Sequence, residues 1–478
     1  MADAPLYLTI AQALAQGIEA GTLRRGERLP SLRALARQRG VSLSTATLAY
    51  RTLEDRRLVE VRDRSGWFVA GSAPARLPEP APSRPPARAQ RVDRSQIAAD
   101  LMRMVDDPTV LSFGAACPGP DLFDPDRLRL ALQRAAQRHR PLLTRYGFGP
   151  GQPTLRRAIA RDALSLGCDL DPERLIVTHG AREALALCLQ AVTRPGDVVA
   201  LESPTFFGFL ETIEALGLRA LEIPTHPRTG LSLDALDLAL RTQPVKALLL
   251  VPTLSNPLGA CLPLAQRRRL AAMAAEHRLP VIEDVIYNDL APEGTPRRAV
   301  KSFDREGWVM LCHSFSKTLA PGVRLGWCEP GRWRDRVLQL KTATTGGQSP
   351  VLELAIADLL SQPGHQAGLR QLRRAIAERV DAARRLIAQH FPAGTRVTDP
   401  PGGFILWVEL PRQIDSVQLA EACLAEGLCI APGLLFSASD RYRHCLRIGL
   451  GGPWDRAHQQ GLARIGSLAH GLAAQQAA

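Results

Sequence analysis

The stretch HSFSKTLAPGVRLGW, residues 313–327, places an amine, two hydroxyls and a guanidinium close together. The amine of Lys317 can condense with an aldehyde to form a Schiff base. Ser314 and Ser316 lie just before Lys317 and Arg324 lies seven residues after it, and side chains of these types suit a phosphate. Few other amines compete for this role, because the 60 basic residues include only four lysines: Lys246, Lys301, Lys317 and Lys341.

A second segment, VIEDVIYND at 281–289, supplies an acid at the end of an apolar run. Pyridoxal 5'-phosphate (PLP) is a phosphorylated aldehyde, and it also needs an acid facing its pyridine nitrogen so that the ring acts as an electron sink. Asp284 is the candidate acid. Tyr287, three residues later, and Asn256 in PTLSNPLG are candidate hydrogen-bond donors to the ring oxygen.

Two further segments complete a PLP site. Phe206 in ESPTFFG can stack on the cofactor ring. In HGAREAL, at 179–185, a short strand leads through a glycine turn into a helix, whose first backbone N–H groups can hold a phosphate. The expected phosphate ligands are therefore Ser314, Ser316, Arg324 and the backbone of Gly180, Ala181 and Arg182.

Residues 96–478 alternate helical patterns with short apolar runs that end in polar, Gly or Pro residues. This alternation is typical of βαβ units around a largely parallel sheet covered on both faces. The predicted strands are LIVTHG (175–180), DVVALESP (197–204), KALLLVP (246–252), LPVIEDV (279–285) and WVMLCHS (308–314).

On these motifs, residues 96–478 resemble the fold type I PLP enzymes of the aspartate aminotransferase superfamily, with a large and a small subdomain. The resemblance implies that Lys317 forms the internal Schiff base and Asp284 pairs with the pyridinium. It also implies that Tyr146 in RYGFGPGQPTLR reaches the phosphate of a neighbouring subunit and that Arg447 in LRIGL binds an effector or substrate carboxylate. CPGPDLF, at 117–123, corresponds to the substrate-side loop.

The first 70 residues predict a winged helix-turn-helix. Leu6, Ile10, Leu14 and Ile18 recur every fourth residue on one helix. Ser31 can cap a second helix, whose inward residues are Leu32, Leu35 and Ala36. Ser42 can cap a third helix, whose buried stripe is Leu43, Ala46, Tyr50 and Leu53. LVEVRDRSGWFVA then predicts a two-stranded wing.

Side chains on the outer face of the third helix are candidate contacts to base edges in a major groove. These candidates are Ser44, Thr45, Thr47 and Arg51, and Arg28, Arg33, Arg62 and Arg64 are candidate phosphate contacts. The run RLPSLRALARQRGVSLSTATLAYRTLEDRRLVEVRDRSGWFV resembles the GntR regulators, which implies binding to double-stranded DNA.

Residues 71–95 contain six prolines among Ala, Arg and Ser, which predicts a semi-rigid linker. The expected domains are a winged helix-turn-helix at 1–70, a linker at 71–95 and a PLP-binding effector and dimerisation domain at 96–478. The first 95 residues carry 16 arginines against nine acids, so they hold +7 of the net charge of +13.

Nine scattered cysteines without a C-x-x-C pair argue against a disulfide framework or a metal site and suit a reducing cytoplasm. The N-terminus lacks the pattern of a signal peptide. No uncharged apolar run reaches 18 residues, so a membrane span is not expected.

Taken together, the head, the linker and the body resemble the MocR regulators, which implies a transcription factor that depends on PLP. An amino-acid-like or vitamin-like effector would react at the Lys317 Schiff base of a head-to-tail homodimer and change DNA binding by the heads. A working aminotransferase with a DNA-binding passenger is the alternative. A regulator with a vestigial PLP site is a third hypothesis. The complete set of site residues argues against it.

Overall fold

The computed structural model describes residues 5–19, 22–23, 26–56, 58–62, 66–70, 77–362 and 364–477. The chain divides into two compact units, of which the smaller comprises residues 1–76 with 292–295 and the larger comprises the rest. Arg64 of the predicted wing and residues 71–76 of the predicted linker lie outside the described residues, as does the side chain of Arg62.

The smaller unit contains three helices followed by an antiparallel hairpin: α1 (Leu6–Glu19), α2 (Leu32–Arg39), α3 (Leu43–Asp55), β1 (Val59–Arg62) and β2 (Gly66–Val69). The predicted helix starts are confirmed, because Ser31 accepts a hydrogen bond from the Ala34 N–H and Ser42 accepts one from the Thr45 N–H. Each bond satisfies an N–H that the first helical turn leaves without a partner.

The core of the smaller unit joins Ile10, Leu35, Tyr50 and Leu53 to both strands of the hairpin. One apolar residue expected inside was predicted wrongly: Leu43 is 49% exposed. Leu6, on the apolar face of α1, is 66% exposed. Each is the first residue of its helix, where the chain has fewer neighbouring turns to cover a side chain.

The larger unit contains twelve further helices and fourteen further strands among its described residues. The helices are α4 (Ser95–Val105), α5 (Pro125–Arg138), α6 (Pro153–Asp162), α7 (Gly180–Val192), α8 (Phe207–Ala215), α9 (Leu233–Thr242), α10 (Leu264–Glu276), α11 (Arg334–Thr344), α12 (Pro350–Ser361), α13 (Gly364–His390), α14 (Ser416–Leu424) and α15 (Arg456–Ala477).

The first strands of this unit are β3 (Leu111–Ser112), β4 (Ile176–Thr178), β5 (Val198–Ser203), β6 (Arg219–His226), β7 (Gly230–Leu231), β8 (Val245–Leu250), β9 (Val281–Asp284), β10 (Val309–Ser314) and β11 (Gly326–Glu329). The remaining strands are β12 (Arg396–Val397), β13 (Ile405–Glu409), β14 (Leu428–Cys429), β15 (Ala431–Pro432) and β16 (Cys445–Gly449).

The large sheet has the strand order β4-β11-β10-β9-β8-β5-β6-β7. Strands β10, β9, β8, β5 and β6 pair in parallel, whereas β11 and β7 pair antiparallel to their neighbours. Successive residues of β5 enter different core clusters: Val199 and Leu201 join the cluster that includes α7, and Val198 and Ala200 join the cluster that includes α9 and α10. The predicted parallel sheet with both faces covered is therefore confirmed.

This unit also contains a smaller antiparallel sheet with the strand order β12-β13-β16-β15. Helices α13 and α15 pack against each other, and both contribute apolar residues to the cluster that contains β13 and β16. The pair β3–β14 links the segment before the substrate-side loop to this sheet region. The two sheets account for the large and small subdomains expected from the resemblance.

Residues 77–95, the described part of the proline-rich segment, pack against the larger unit. Gln90 exchanges two backbone hydrogen bonds with Ala220 of β6, and the Ser83 N–H donates to the Thr225 carbonyl at 2.9 Å. A proline-rich strand suits the edge of a sheet, where missing N–H donors cost little. By these contacts, the segment belongs to the larger unit from residue 77 onward. No helix of the described chain is long and apolar enough to cross a membrane.

Candidate functional site

Asp284 and Lys317 come from neighbouring parallel strands of the large sheet. Asp284 is the last residue of β9, and Lys317 follows the end of β10 by three residues. Carboxyl ends of adjacent parallel strands meet at one edge of the sheet, where ligands of such folds bind. Burial raises the pKa of Asp284 to about 6, opposed by a hydrogen bond from the Ile286 N–H and by the charges of His313 and Lys317.

The Lys317 amine is held in a defined position. Its Nζ donates to the Ala116 carbonyl at 2.6 Å, across a separation of 201 residues in sequence. Burial lowers the pKa of this amine, and the nearby Arg447 and Arg324 act in the same direction. A lower pKa increases the neutral fraction of the amine, which is the form that attacks an aldehyde.

A cradle of phosphate-binding type lies beside this lysine. Ser314 and Ser316 share a hydrogen bond of 2.9 Å, and Arg324 donates to the Ser316 hydroxyl at 3.2 Å. Gly180, the first residue of α7, has φ +79°, and a Cβ there would lie 3.0 Å from the Arg324 guanidinium. Glycine therefore lets the open end of α7 approach the arginine closely, and the first N–H groups of α7 face the same place as Ser316 and Arg324.

A hydrogen-bonded network joins three of the predicted site residues. Asn256 Nδ2 donates to the Tyr287 hydroxyl at 3.3 Å, and Arg447 Nη1 donates to Asn256 Oδ1, also at 3.3 Å. Burial, the largest influence, raises the pKa of Tyr287 and keeps its hydroxyl protonated. The donor pair expected for a cofactor ring oxygen is thus directly connected to the expected carboxylate-binding arginine.

Arg447 lies on β16 and is completely buried. Burial lowers the pKa of its guanidinium to about 10. Its Nη2 donates to the Gly114 carbonyl, its Nε has no partner among the described atoms, and its guanidinium lies 5.0 Å from the ring centre of Phe436. A backbone carbonyl, an amide and aromatic rings surround this cation. A bound carboxylate would neutralise its charge and accept its hydrogen bonds.

Three other predicted residues are placed less directly. The Phe206 ring is partly buried and contacts Phe207 and Phe209, with the Arg182 guanidinium 5.9 Å from its centre. Arg182 itself pairs with Glu211 at 2.5 Å, so its side chain is occupied. Tyr146 is 87% exposed and stacks on Phe148.

Sequence reasoning missed how the substrate-side loop is held. The carbonyls of Gly114 and Ala116 accept from Arg447 and Lys317, and backbone carbonyls leave no mark in a sequence. It also missed Arg379 on α13, which is nearly buried and bonds Asp121 and the carbonyls of Gly451 and Gly452. An arginine within a long amphipathic helix carries no local signal that distinguishes it from its neighbours.

In the smaller unit, the outer face of α3 carries the predicted DNA contacts. Ser44 and Arg51 are exposed, as are Arg28 and Arg33. Thr45 and Thr47 are half-buried, and their hydroxyls are already engaged: Thr45 bonds Ser42, and Thr47 donates to the Leu43 carbonyl. The two threonines therefore present mainly methyl groups. The Ser44 hydroxyl also bonds Ser42, at 2.7 Å, so the open polar group of this face belongs to Arg51.

Comparison with known proteins covers both units. The family model for aminotransferase class I and II matches residues 109–460, and the model for bacterial regulatory proteins of the gntR family matches residues 6–69. An uncharacterized HTH-type transcriptional regulator of Escherichia coli (strain K12), YjiR, is 36% identical over 469 residues, which is 97% of this chain and 98% of that protein.

Two further relatives connect the chain to a named regulator and to a solved enzyme. The probable rhizopine catabolism regulatory protein MocR of Rhizobium meliloti is 28% identical and covers 90% of this chain and 87% of its own. The crystal structure of LysN, an alpha-aminoadipate aminotransferase from Thermus thermophilus, superimposes with a TM-score of 0.72 at 28% identity. That match covers 80% of this chain and 97% of LysN.

These matches agree with the fold of both units. The chain joins a GntR-type helix-turn-helix to a class I and II aminotransferase domain along nearly its whole length, as the full-length regulators do. The chain belongs to the MocR subfamily of the GntR transcriptional regulators.

Proposed function

We propose that this protein is a PLP-dependent transcriptional regulator whose larger unit binds an amino-acid-like or vitamin-like effector and thereby controls DNA binding by its smaller unit. The single observation that carries the proposal is the convergence of Lys317, Asp284 and the Ser316–Arg324 cradle at one edge of the large sheet. The proposed place of action is the cytoplasm, where bacterial DNA lies.

The residues present fit PLP by their chemistry. Gly180 leaves open the approach to Arg324 that a Cβ would fill, and the Ser314–Ser316 pair adds hydroxyl donors for a phosphate. Asp284 is buried at the carboxyl end of β9, which supports its proposed role as the acid that meets the pyridine nitrogen. When bound, PLP supplies an electrophilic carbon and an electron-withdrawing ring that stabilises negative charge.

The chain's own residues would prepare this site. Asp284, once ionised, would hold the proton of the pyridine nitrogen, and Asn256 and Tyr287 would donate toward the ring oxygen. Lys317 would offer its neutral amine, and it would give up its hydrogen bond to the Ala116 carbonyl when it engages the aldehyde. Phe206 would cover one face of the ring, as its place at the start of α8 allows.

The proposed effector carries a carboxylate. The buried Arg447 has an Nε without a partner among the described atoms, and Asn256 and the Gly114 carbonyl hold its other nitrogens in place. Arginine binds carboxylates in a planar, two-pronged geometry. The solved relative LysN is described as a complex with N-(5'-phosphopyridoxyl)-L-leucine, an amino acid joined to the cofactor, which supports an amino-acid-like effector class.

The proposed assembly is a homodimer of head-to-tail type. Tyr146 and Phe148 form a stacked pair whose rings are 87% and 71% exposed, and Leu143 beside them is 59% exposed. Large apolar groups exposed together mark an interaction surface. The pairing would bring Tyr146 to the phosphate of the neighbouring subunit and would present two smaller units to two DNA half-sites.

A functioning aminotransferase is the second candidate, and the completeness of the site favours it. Every predicted residue from Lys317 to Arg447 is present, so the chemistry of the first half-reaction is available. Turnover of about one per second or faster with an amino acid and a keto acid would be typical of an enzyme. Much slower turnover, together with DNA affinity that depends on the effector, would favour the regulator.

The decisive experiment compares Lys317→Ala with the matched variant Lys246→Ala, which removes an exposed lysine at the start of β8. Purified wild type and Lys246→Ala should show the visible absorbance of a covalently held cofactor, and Lys317→Ala should not. Effector-dependent changes in the affinity for promoter DNA should disappear with the same variant. An unchanged spectrum in Lys317→Ala would rule out the proposed site.

A further inference from the structure

A long stretch of the chain without an acidic residue is rich in arginine and lies in the larger unit, outside the helix-turn-helix. Residues 127–161 contain nine arginines and no aspartate or glutamate. This run exceeds the +7 of the first 95 residues, and the remaining residues together are acidic. A run of this kind without acids indicates an anionic partner when the arginines share one surface.

Helices α5 and α6 carry most of this charge, and α12 lies between them. Helix α12 packs against both, and each neighbour sends an arginine to its C-terminal end. Arg134 of α5 pairs with Asp358 at 2.6 Å, and Arg161 of α6 donates to the Ser361 hydroxyl at 3.3 Å. The arginines of α5 and α6 therefore border the same helix from two sides.

We name this surface the arginine face and define it by Arg134, Arg138, Arg157 and Arg161. Arg134 and Arg138 lie one turn apart on α5, and Arg157 and Arg161 lie one turn apart on α6. Helix α12 packs against both α5 and α6, so the two rows flank one helix. The long side chains of both rows can reach phosphates of one duplex.

Most of the arginine face lacks a compensating acid. In the described part of the chain, Arg134 pairs with Asp358, whereas Arg138, Arg157 and Arg161 are exposed and have no carboxylate partner. Arg157 donates to the Thr154 hydroxyl at 3.5 Å, which leaves its charge uncompensated. Three exposed guanidinium groups are thus available to phosphates.

Stabilisation of a helix end explains part of this arrangement. Arg134 and Arg161 lie near the C-terminus of α12, whose last carbonyls favour positive charge. Arg138 is the last residue of α5, and its charge also suits a helix C-terminus. Arg157 is the fifth residue of α6, beyond its first turn, so stabilisation of a helix end does not account for this arginine.

We infer that the arginine face binds the phosphate backbone of double-stranded DNA, as a second contact beside the helix-turn-helix. The inference rests on the proposed DNA binding of the smaller unit. A duplex carries one negative charge about every 1.7 Å, which matches rows of arginines better than the scattered acids of a protein partner. Arginine also binds phosphate through two parallel hydrogen bonds. Arg140 and Arg145 are left out because they adjoin Tyr146, the proposed dimer contact.

The test uses the full-length protein and a duplex of about 60 base pairs, long enough for contacts beyond one half-site. The test variant is Arg138→Gln, Arg157→Gln and Arg161→Gln together. The matched control is Arg305→Gln, Arg396→Gln and Arg412→Gln, three exposed arginines elsewhere on the larger unit with the same loss of charge. A third protein replaces the three test arginines by lysine, which keeps the charge and loses the two-pronged geometry.

We expect the test variant to bind about 10-fold or more weakly than the control, equally for every DNA sequence. The slope of log affinity against log salt concentration should fall by up to about three, since each lost phosphate contact removes close to one. The lysine protein should restore most of the slope. By contrast, Arg51→Ala in α3 should change the preference between sequences.

Equal affinity and equal slope for test and control variants would overturn the inference and would leave an acidic protein as the partner to consider. A change of oligomeric state in the test variant, measured by sedimentation, would overturn it in favour of contact between copies of the chain. If wild type itself binds no DNA, the proposed function fails. If wild type binds and the two variants agree, only the second contact fails.

Discussion

The charged side chains of the two proposed binding sites, for a small ligand and for DNA, meet opposite surroundings. In the larger unit, Asp284, Lys317 and Arg447 are enclosed, and their neighbours shift the pKa of each away from its usual value. On α3 and its flanks, Arg28, Arg33 and Arg51 are exposed. The enclosed charges are poised for chemistry with one small ligand, whereas the exposed ones suit the repeated phosphates of a long polymer.

The comparison teaches that stability and function are coupled differently in the two units. A buried charge without its ligand lowers the free energy of unfolding. Binding of the correct ligand compensates the charge and restores that stability. An exposed arginine costs little and contributes little until a polyanion arrives. Substitutions of the enclosed charges should therefore act on both folding and binding, and those of the exposed arginines should act on binding alone.

Asp284→Asn should have the largest effect, since it removes the acid proposed for the pyridine nitrogen. A charge-assisted hydrogen bond of about 1.5–3 kcal/mol corresponds to a loss of cofactor affinity of roughly 10- to 100-fold. The affinity follows from titration of the cofactor-free protein with PLP, monitored by absorbance. Affinity within a factor of two of wild type would show that Asp284 does not face the ring.

The same variant has a pH signature in the cofactor-free protein. Burial raises the pKa of Asp284 to about 6, so the folded chain holds this proton more tightly than the unfolded chain. The resulting stabilisation is present below the unfolded pKa and is lost as the pH rises through 6. Between about pH 4 and 7, wild type should lose about 3 kcal/mol relative to Asp284→Asn in denaturant unfolding. Parallel pH profiles would contradict the enclosed carboxylate.

Arg447→Met should separate stability from recognition. A methionine of similar length removes a buried cation that lacks a carboxylate, so the free energy of unfolding should stay equal or rise by about 1–3 kcal/mol. Binding of any carboxylate effector should be lost. Thermal unfolding and amino-acid titration of the cofactor spectrum measure the two effects. Strong destabilisation without loss of effector response would make Arg447 a structural residue instead.

Arg51→Ala should weaken DNA binding without affecting the fold. Loss of one good contact to a base costs about 1–3 kcal/mol, which is roughly 5- to 150-fold in Kd. Fluorescence anisotropy with promoter DNA gives the affinity, and circular dichroism checks the fold. The control is Arg37→Ala, an exposed arginine on α2 outside the predicted contact set. Equal losses in both variants would indicate a diffuse charge effect.

Ser42→Ala should produce the smallest effect, confined to the stability of the smaller unit. It removes the cap of α3, in which Ser42 Oγ accepts from the Thr45 N–H at 3.1 Å. Loss of such a cap costs about 1 kcal/mol. Differential scanning calorimetry should show a transition of this unit lowered by about 4–8 °C. Ser44→Ala, which keeps the cap, should change it little.

Much of the site was predictable because its parts are local. Ser314, Ser316, Lys317 and Arg324 lie within eleven residues, and strand-end residues such as Asp284 follow recognisable apolar runs. The caps at Ser31 and Ser42 were predictable for the same reason, since a cap bonds an N–H three residues away. Leu43, the residue predicted wrongly, has the correct periodicity, but it is the first residue of α3 and is 49% exposed.

The sequence by itself determined the fold class, the Schiff-base lysine and the residues that surround it, because periodicity and short motifs express local backbone preferences. Only the tertiary structure decided that Lys317 donates to Ala116, that Arg447 bonds Asn256 and Gly114, and that Arg379 fastens Asp121 to the loop after β16. These contacts join residues up to 333 positions apart. Such pairs form because burial forces each polar group to find a partner, and the packing of the elements, rather than local sequence, chooses which partner is near.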